Sequence, residues 1–294
     1  MNLSANWVVL ALACAFFTAT LAVLSKIALR KKNELFVLWV VYAFSLPLFL
    51  ILFIYQPKPH LTSTFWKILA ILLPLEMGSF FLYLRALKLS PLSLVFPFLG
   101  LTPAFSILTS SLILKEKLSP VGMWGVILVS FGAYLLNAHT IRTGGILAPI
   151  KKIYREKGVR LMVLVAFIYS IASVLGKKAV LLSSPETFPA IYYSVFFVVI
   201  TPLVYIKTKR AKITLEKKDL FLFVAMGALF AIAILFHYKA ISMVNVSYML
   251  SVKRLSLLIS VIYGAIIFRE KNIAYRLAGS LVMLCGIVIL LLYR

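Results

Sequence analysis

The sequence predicts an all-α membrane protein of ten transmembrane helices, arranged as two inverted five-helix repeats. Three observations lead there. Of 294 residues, 63% are hydrophobic and 13% charged, with a mean hydropathy of +1.05. A soluble domain is about half apolar and about a quarter charged. The apolar residues also fall into ten runs of about 20 residues, each long enough to cross a roughly 30 Å hydrocarbon core as a helix. Finally, the first half of the chain repeats in the second. The composition excludes a disordered chain, a disulfide scaffold and an ordinary soluble enzyme.

The ten spans are read at 6–28, 35–55, 66–87, 91–114, 120–138, 160–180, 187–206, 219–239, 244–268 and 273–293. Barrel strands would be shorter and would alternate polar with apolar residues, and the runs do neither. From Trp7 onward the N-terminal segment is apolar, with no basic region before it. It reads as the first membrane helix, not a cleaved signal peptide. Most junctions are short. At one of them Ser90 suits an N-cap and Pro91 the first helical position. Asn245 is placed to cap the ninth span. Cys14 and Cys285 fall inside apolar segments and read as small buried hydrophobes.

Residues 139–159 form the longest connection. They mix Ile146, Leu147, Ile150 and Ile153 with basic residues, and Pro149 can start a helix. This predicts an amphipathic linker lying on the membrane surface. It separates a first repeat, 1–138, from a second, 160–294.

With an offset of 154 residues, 85–136 aligns on 239–290 without a gap. Ala86 falls on Ala240, Ser93 on Ser247, Leu101 on Leu255 and Ser106 on Ser260. Glu116-Lys117 falls on Glu270-Lys271, Gly125 on Gly279 and Gly132 on Gly286. An offset of 151 aligns Lys26 with Lys177. Low complexity aligns leucines by chance, but not a Glu-Lys pair after a long apolar run and two glycines seven apart. Each copy has an odd number of spans, so the copies must insert in opposite orientations. Inverted repeats recur in secondary transporters, whose substrate site lies near the midplane.

The stretches Leu84-Arg-Ala-Leu-Lys-Leu-Ser-Pro-Leu-Ser-Leu-Val with Leu114-Lys-Glu-Lys, and Ala240-Ile-Ser-Met-Val-Asn-Val-Ser-Tyr with Phe268-Arg-Glu-Lys, carry a family likeness. The chain resembles the EamA-type transporters of the drug/metabolite transporter superfamily. The resemblance implies a metabolite transporter with a central cavity lined by spans 1–4 and 6–9, spans 5 and 10 being structural. The copies differ at Pro97 and Pro103, which face Ser251 and Leu257 in the alignment.

There are 31 Lys and Arg against 8 Asp and Glu. Twenty of the basic residues fall in loops 1–2, 3–4, 5–6, 7–8 and 9–10 on one side, and eight in loops 2–3, 4–5, 6–7, 8–9 and the C-terminus on the other. The positive-inside rule then puts both termini outside the cytoplasm. The resemblance implies cytoplasmic termini. The dense clusters in 142–160 and 207–218 favour the charge count. The basic side faces anionic membrane lipids, each near-surface cation contributing about 1 kcal/mol. The scatter of these residues over short loops argues against nucleic acid.

An ionisable residue at membrane depth is costly unless it faces a cavity or a partner. Lys253 and Arg254 lie about ten residues into the ninth span, roughly 15 Å deep. Glu76 sits at similar depth in the third. The bland reading is a buried ion pair between Glu76 and one cation. The functional one leaves the other cation for a carboxylate or phosphate, Arg254 as a bidentate contact and Lys253 as a point charge. His237 aligns with Tyr83 in the repeat, and both join the candidate set with Tyr248. Tyr192, Tyr193 and Trp39 fit core better than cavity. Lys26 and Lys177 read as snorkelling end residues, Glu116 and Glu270 as interfacial. The paired glycines read as close-packing points.

No HExxH, GxSxG, P-loop or dinucleotide turn is present. Neither an enzyme, nor a cofactor, nor a metal site is expected. The sequence thus predicts a gradient-driven secondary transporter in the cytoplasmic membrane, a monomer or homodimer with proton or ion coupling. Its substrate would be a small anionic or zwitterionic metabolite resembling an amino acid. The alternative is a flippase for a lipid-linked phosphate or sugar.

Overall fold

A computed structural model of the chain describes residues 3–29, 32–90, 96–135, 156–208, 217–268 and 273–292. In order, the helices are α1 (Leu3–Ala28), α2 (Glu34–Tyr55), α3 (Ser63–Leu89), a 3-10 helix (Phe96–Leu101), α4 (Thr102–Leu114) and α5 (Pro120–Leu135). Then follow α6 (Lys157–Leu181), α7 (Thr187–Thr208), α8 (Lys217–Met243), α9 (Val246–Lys253), α10 (Leu255–Phe268) and α11 (Ile273–Leu292). No strand occurs among the described residues. Most of the linker 139–159, the residue Pro91 and the residue Glu270 lie outside them.

Among the described residues, six helices contain stretches long and apolar enough to cross a membrane: Asn6–Ser25, Leu35–Tyr55, Ser63–Tyr83, Lys157–Leu181, Thr187–Lys207 and Asp219–Met243. Shorter apolar helices accompany them. Large apolar side chains point outward, among them Val9, Ile54, Trp124, Val198 and Ile266. Water penalises such a surface and hydrocarbon does not. Pro47, Pro74 and Pro202 sit inside α2, α3 and α7 without ending them.

Among the described residues, two of the ten apolar runs are divided. In the fourth, the 3-10 helix Phe96–Leu101 gives way to regular α-helix at Thr102. Pro103 then occupies the first turn of α4, where its missing N–H costs nothing. The ninth breaks at Arg254, with neither proline nor glycine. The Arg254 N–H is shared between the Leu250 and Ser251 carbonyls at 3.1 Å each, a tightened turn between α9 and α10. At the 154-residue offset Leu255 falls on Leu101, so an element boundary comes at nearly the same register in both copies.

The chain folds into two compact units, and each draws on both halves of the sequence. One comprises Met1–Leu69 and Ala179–Ser242. In it α2 packs on α7 through aromatic rings. Trp39 donates from Nε1 to Thr201 Oγ1 at 2.9 Å and stacks on Phe197. Tyr42 and Phe49 both stack on Tyr193. Contacts thus move down α7 as they move up α2, so the two helices run antiparallel. Phe230 of α8 meets Tyr42, Phe49 and Tyr193 with its edge or theirs. Tyr192 and Tyr193 are core residues, as the sequence favoured.

The other unit comprises Ala70–Lys178 and Met243–Arg294. Its backbone is the α5–α11 pair. A Cβ on Gly132 would lie 2.7 Å from the Gly279 carbonyl oxygen, and one on Gly125 3.0 Å from that of Gly286. The repeat glycines are close-packing points, as expected, and the crossed order makes this pair antiparallel too. Cys285 of α11 is exposed and Cys14 buried, so only Cys14 behaves as the buried hydrophobe expected. Cys285 lies on the apolar outer face of its helix, beside Leu281, Leu284 and Val288.

Candidate functional site

The second unit gathers polar groups in its apolar interior. Ala86 of α3, Phe98 and Leu99 of the 3-10 helix, and Val159, Met162, Val165 and Ala166 of α6 form a buried cluster. Tyr83 and Tyr169 pack against it. The Tyr169 phenol lies within electrostatic reach of Tyr83, Glu76 and Arg254. Tyr169 of α6 is thus the point on which groups from two other elements act: Glu76 and Tyr83 from α3, and Arg254 from the break after α9. On α3 the seven-residue spacing of Glu76 and Tyr83 puts both on one face.

Arg254 is placed by the break. As the C-cap of α9 its guanidinium starts where regular helix stops. Its Nε is buried and meets no hydrogen-bond acceptor among the described residues. A buried guanidinium donor usually has an acceptor, so this group can take an anionic oxygen. The Tyr169 phenol, which can donate or accept, lies within its electrostatic reach, and the Tyr83 phenol and the Glu76 carboxylate lie within reach of Tyr169 in turn. Such a set can bind the two ends of a small zwitterion, or one carboxylate or phosphate.

The predicted site residues thus separate. Glu76, Tyr83 and Arg254 each lie within electrostatic reach of Tyr169. Lys253 ends α9 beside Arg254, about 100° round the helix. Tyr248, buried on α9, packs with its hydroxyl against Gly122 of α5. His237 belongs to the other unit, where it is buried with its ring against Tyr238, centroids 4.9 Å apart. Sequence reasoning missed Tyr169. Its depth, about twelve residues into α6, was a usable signal, but one tyrosine among 14 does not stand out.

A second polar cluster lies at the N-terminal end of α9. Lys177 is buried, not snorkelling: its Nζ donates to Glu116 Oε1 at 2.6 Å and to the Val244 carbonyl at 2.7 Å. Glu116 Oε2 accepts the Val246 N–H at 3.0 Å. Asn245 does occupy the N-cap of α9, but its side chain makes no capping bond and donates instead to the Lys117 carbonyl. The carboxylate that caps α9 comes from the end of α4.

Residues 5–138 and 156–292 each match the model of the EamA-like transporter family. The chain belongs to that family. EamA-like proteins are membrane transporters of small molecules, which agrees with the apolar helices and duplicated sequence. A crystal structure described only as that of a protein superposes on this EamA-like chain with a TM-score of 0.74. The match covers 99% of this chain and 98% of that one at 16% identity, a likeness of fold. No curated protein matches the chain.

Proposed function

We propose that the protein is a secondary transporter of a small anionic or zwitterionic, amino-acid-like metabolite across the cytoplasmic membrane. It works by alternating access between inverted five-helix repeats that make ten spans. The antiparallel packing of α2 with α7 and of α5 with α11 supports the inversion, because each pair joins corresponding helices of the two copies. One observation carries the substrate class: a buried Arg254 Nε without an acceptor among the described residues, within electrostatic reach of Tyr169, which Tyr83 and Glu76 also reach. Arg254 binds the substrate carboxylate in a low-dielectric interior, where a charge-assisted bond is strong. Glu76 holds the ammonium group or carries a coupled proton, and the phenols add cation–π contact. Lys253 adds positive potential.

The test is uptake into proteoliposomes of a panel of radiolabelled amino acids and phosphorylated metabolites. Arg254→Ala should abolish uptake while the protein stays folded and inserted, and Arg254→Lys should restore part of it. Wild-type uptake by Arg254→Ala would remove the site. Transfer of a fluorescent lipid between leaflets, with no metabolite uptake, would point to a flippase instead.

A further inference from the structure

We infer that Glu116 is a positioning residue for Arg254, acting through α9; the inference rests on the reading of Arg254 as the substrate-binding cation. Glu116 divides its two oxygens. One closes an ion pair with buried Lys177, the other caps the backbone of α9 at Val246. Lys177 adds a bond to the Val244 carbonyl just before α9. Entry to α9 is therefore fixed by a carboxylate and an ammonium from two other helices, α4 and α6.

From Val246, α9 runs about 12 Å to Arg254 by helical rise. It is one short, rigid piece. Every residue from Val246 to Val252 is buried. Ser247, Ser251 and Arg254 repeat at four and three residues and so share a face. On that face the Ser247 hydroxyl lies 2.9 Å from that of Ser106 on α4. A shift at the capped end is carried along eight residues of packed helix to the guanidinium. Misplacement of about 1 Å is enough to spoil a binding geometry.

Two double variants separate capping from charge pairing. Glu116→Gln with Lys177→Met removes both charges but leaves an amide oxygen to cap Val246. Glu116→Lys with Lys177→Glu restores an ion pair of reversed sign but puts an ammonium against the helix N-terminus. Each is built with Ser106→Cys and Ser247→Cys, with Cys14 and Cys285 replaced by alanine. Iodine-driven formation of the 106–247 disulfide then reports the position of α9. Uptake KM is measured, without those cysteines, for the labelled amino acid that wild type moves fastest in the panel above.

The Gln/Met pair should cross-link like its parent and keep its KM. The charge swap should cross-link several-fold less and raise KM about fivefold, the scale of a lost helix cap. Equal cross-linking in parent and charge swap, or equal loss in both double variants, would overturn the positioning role. The cross-link depends on no substrate. It can therefore succeed where Arg254→Ala leaves uptake intact, which would sink the binding site and leave α9's anchor standing.

Discussion

Gly125 of α5 and Gly286 of α11 meet backbone to backbone: a Cβ on Gly286 would stand 2.8 Å from the Gly125 carbonyl oxygen. Their repeat equivalents, Gly279 and Gly132, meet in the same way seven residues along each helix. A duplicated close-packing motif thus packs against its own copy, turned end for end.

That contact leaves no room for a side chain. Gly286→Val should destabilise the detergent-solubilised protein by about 1–3 kcal/mol, the usual cost of overpacking. Gly78→Ala is the control, since a Cβ there meets nothing within 4 Å. Thermal unfolding followed by circular dichroism separates the two. An unchanged midpoint in Gly286→Val would contradict the close approach.

Burial ranks the ion pairs. The Lys177 and Glu116 side chains are 9% and 10% exposed, whereas Lys239, paired with Glu186, is 48% exposed. Removing one partner of a buried pair strands the other, at about 3–5 kcal/mol. Exposed pairs contribute about 0–1 kcal/mol. Lys177→Ala should therefore lower the melting temperature strongly and Lys239→Ala hardly at all. Equal shifts would refute the ranking.

Lys115 has a left-handed backbone at the end of α4, with φ 56°, and its N–H bonds to the Ser110 carbonyl. Glycine adopts this conformation freely and a β-branched residue resists it. Lys115→Gly should keep or raise the unfolding temperature, and Lys115→Ile should lower it. The reverse order would show that the left-handed cap is not formed.

Charge asymmetry predicts the orientation. With twenty basic residues on one side and eight on the other, the C-terminus should lie outside the cytoplasm. A C-terminal alkaline phosphatase fusion, active only after export, should be active in cells. An inactive phosphatase with a fluorescent C-terminal green fluorescent protein would assign the opposite orientation.

Much of this was legible in the residue order. Apolar runs fixed where helices lie because lipid forces the backbone to satisfy itself within each span. The break at Arg254 was not legible, since no proline or glycine marks it. The break at Leu101 had Pro97 and Pro103 beside it, yet read as part of one span. Asn245 stands at the N-cap as expected, but its side chain turned elsewhere. Glu116, 130 residues earlier in the chain, supplies the cap. Local propensity cannot foresee a partner that distant.

By itself, then, the sequence determined the membrane solvent, the helix positions, the duplication and the few ionisable residues too deep to be incidental. These follow from hydropathy and depth, which are properties of single residues and short windows. Tertiary structure alone decided partners. It sent Lys177 to Glu116 instead of to the surface, placed Tyr169 beside Arg254, and put His237 in a different unit. The reason is geometric: which face of a helix meets which neighbour depends on packing across the whole chain, and a buried charge goes wherever that packing offers an opposite one.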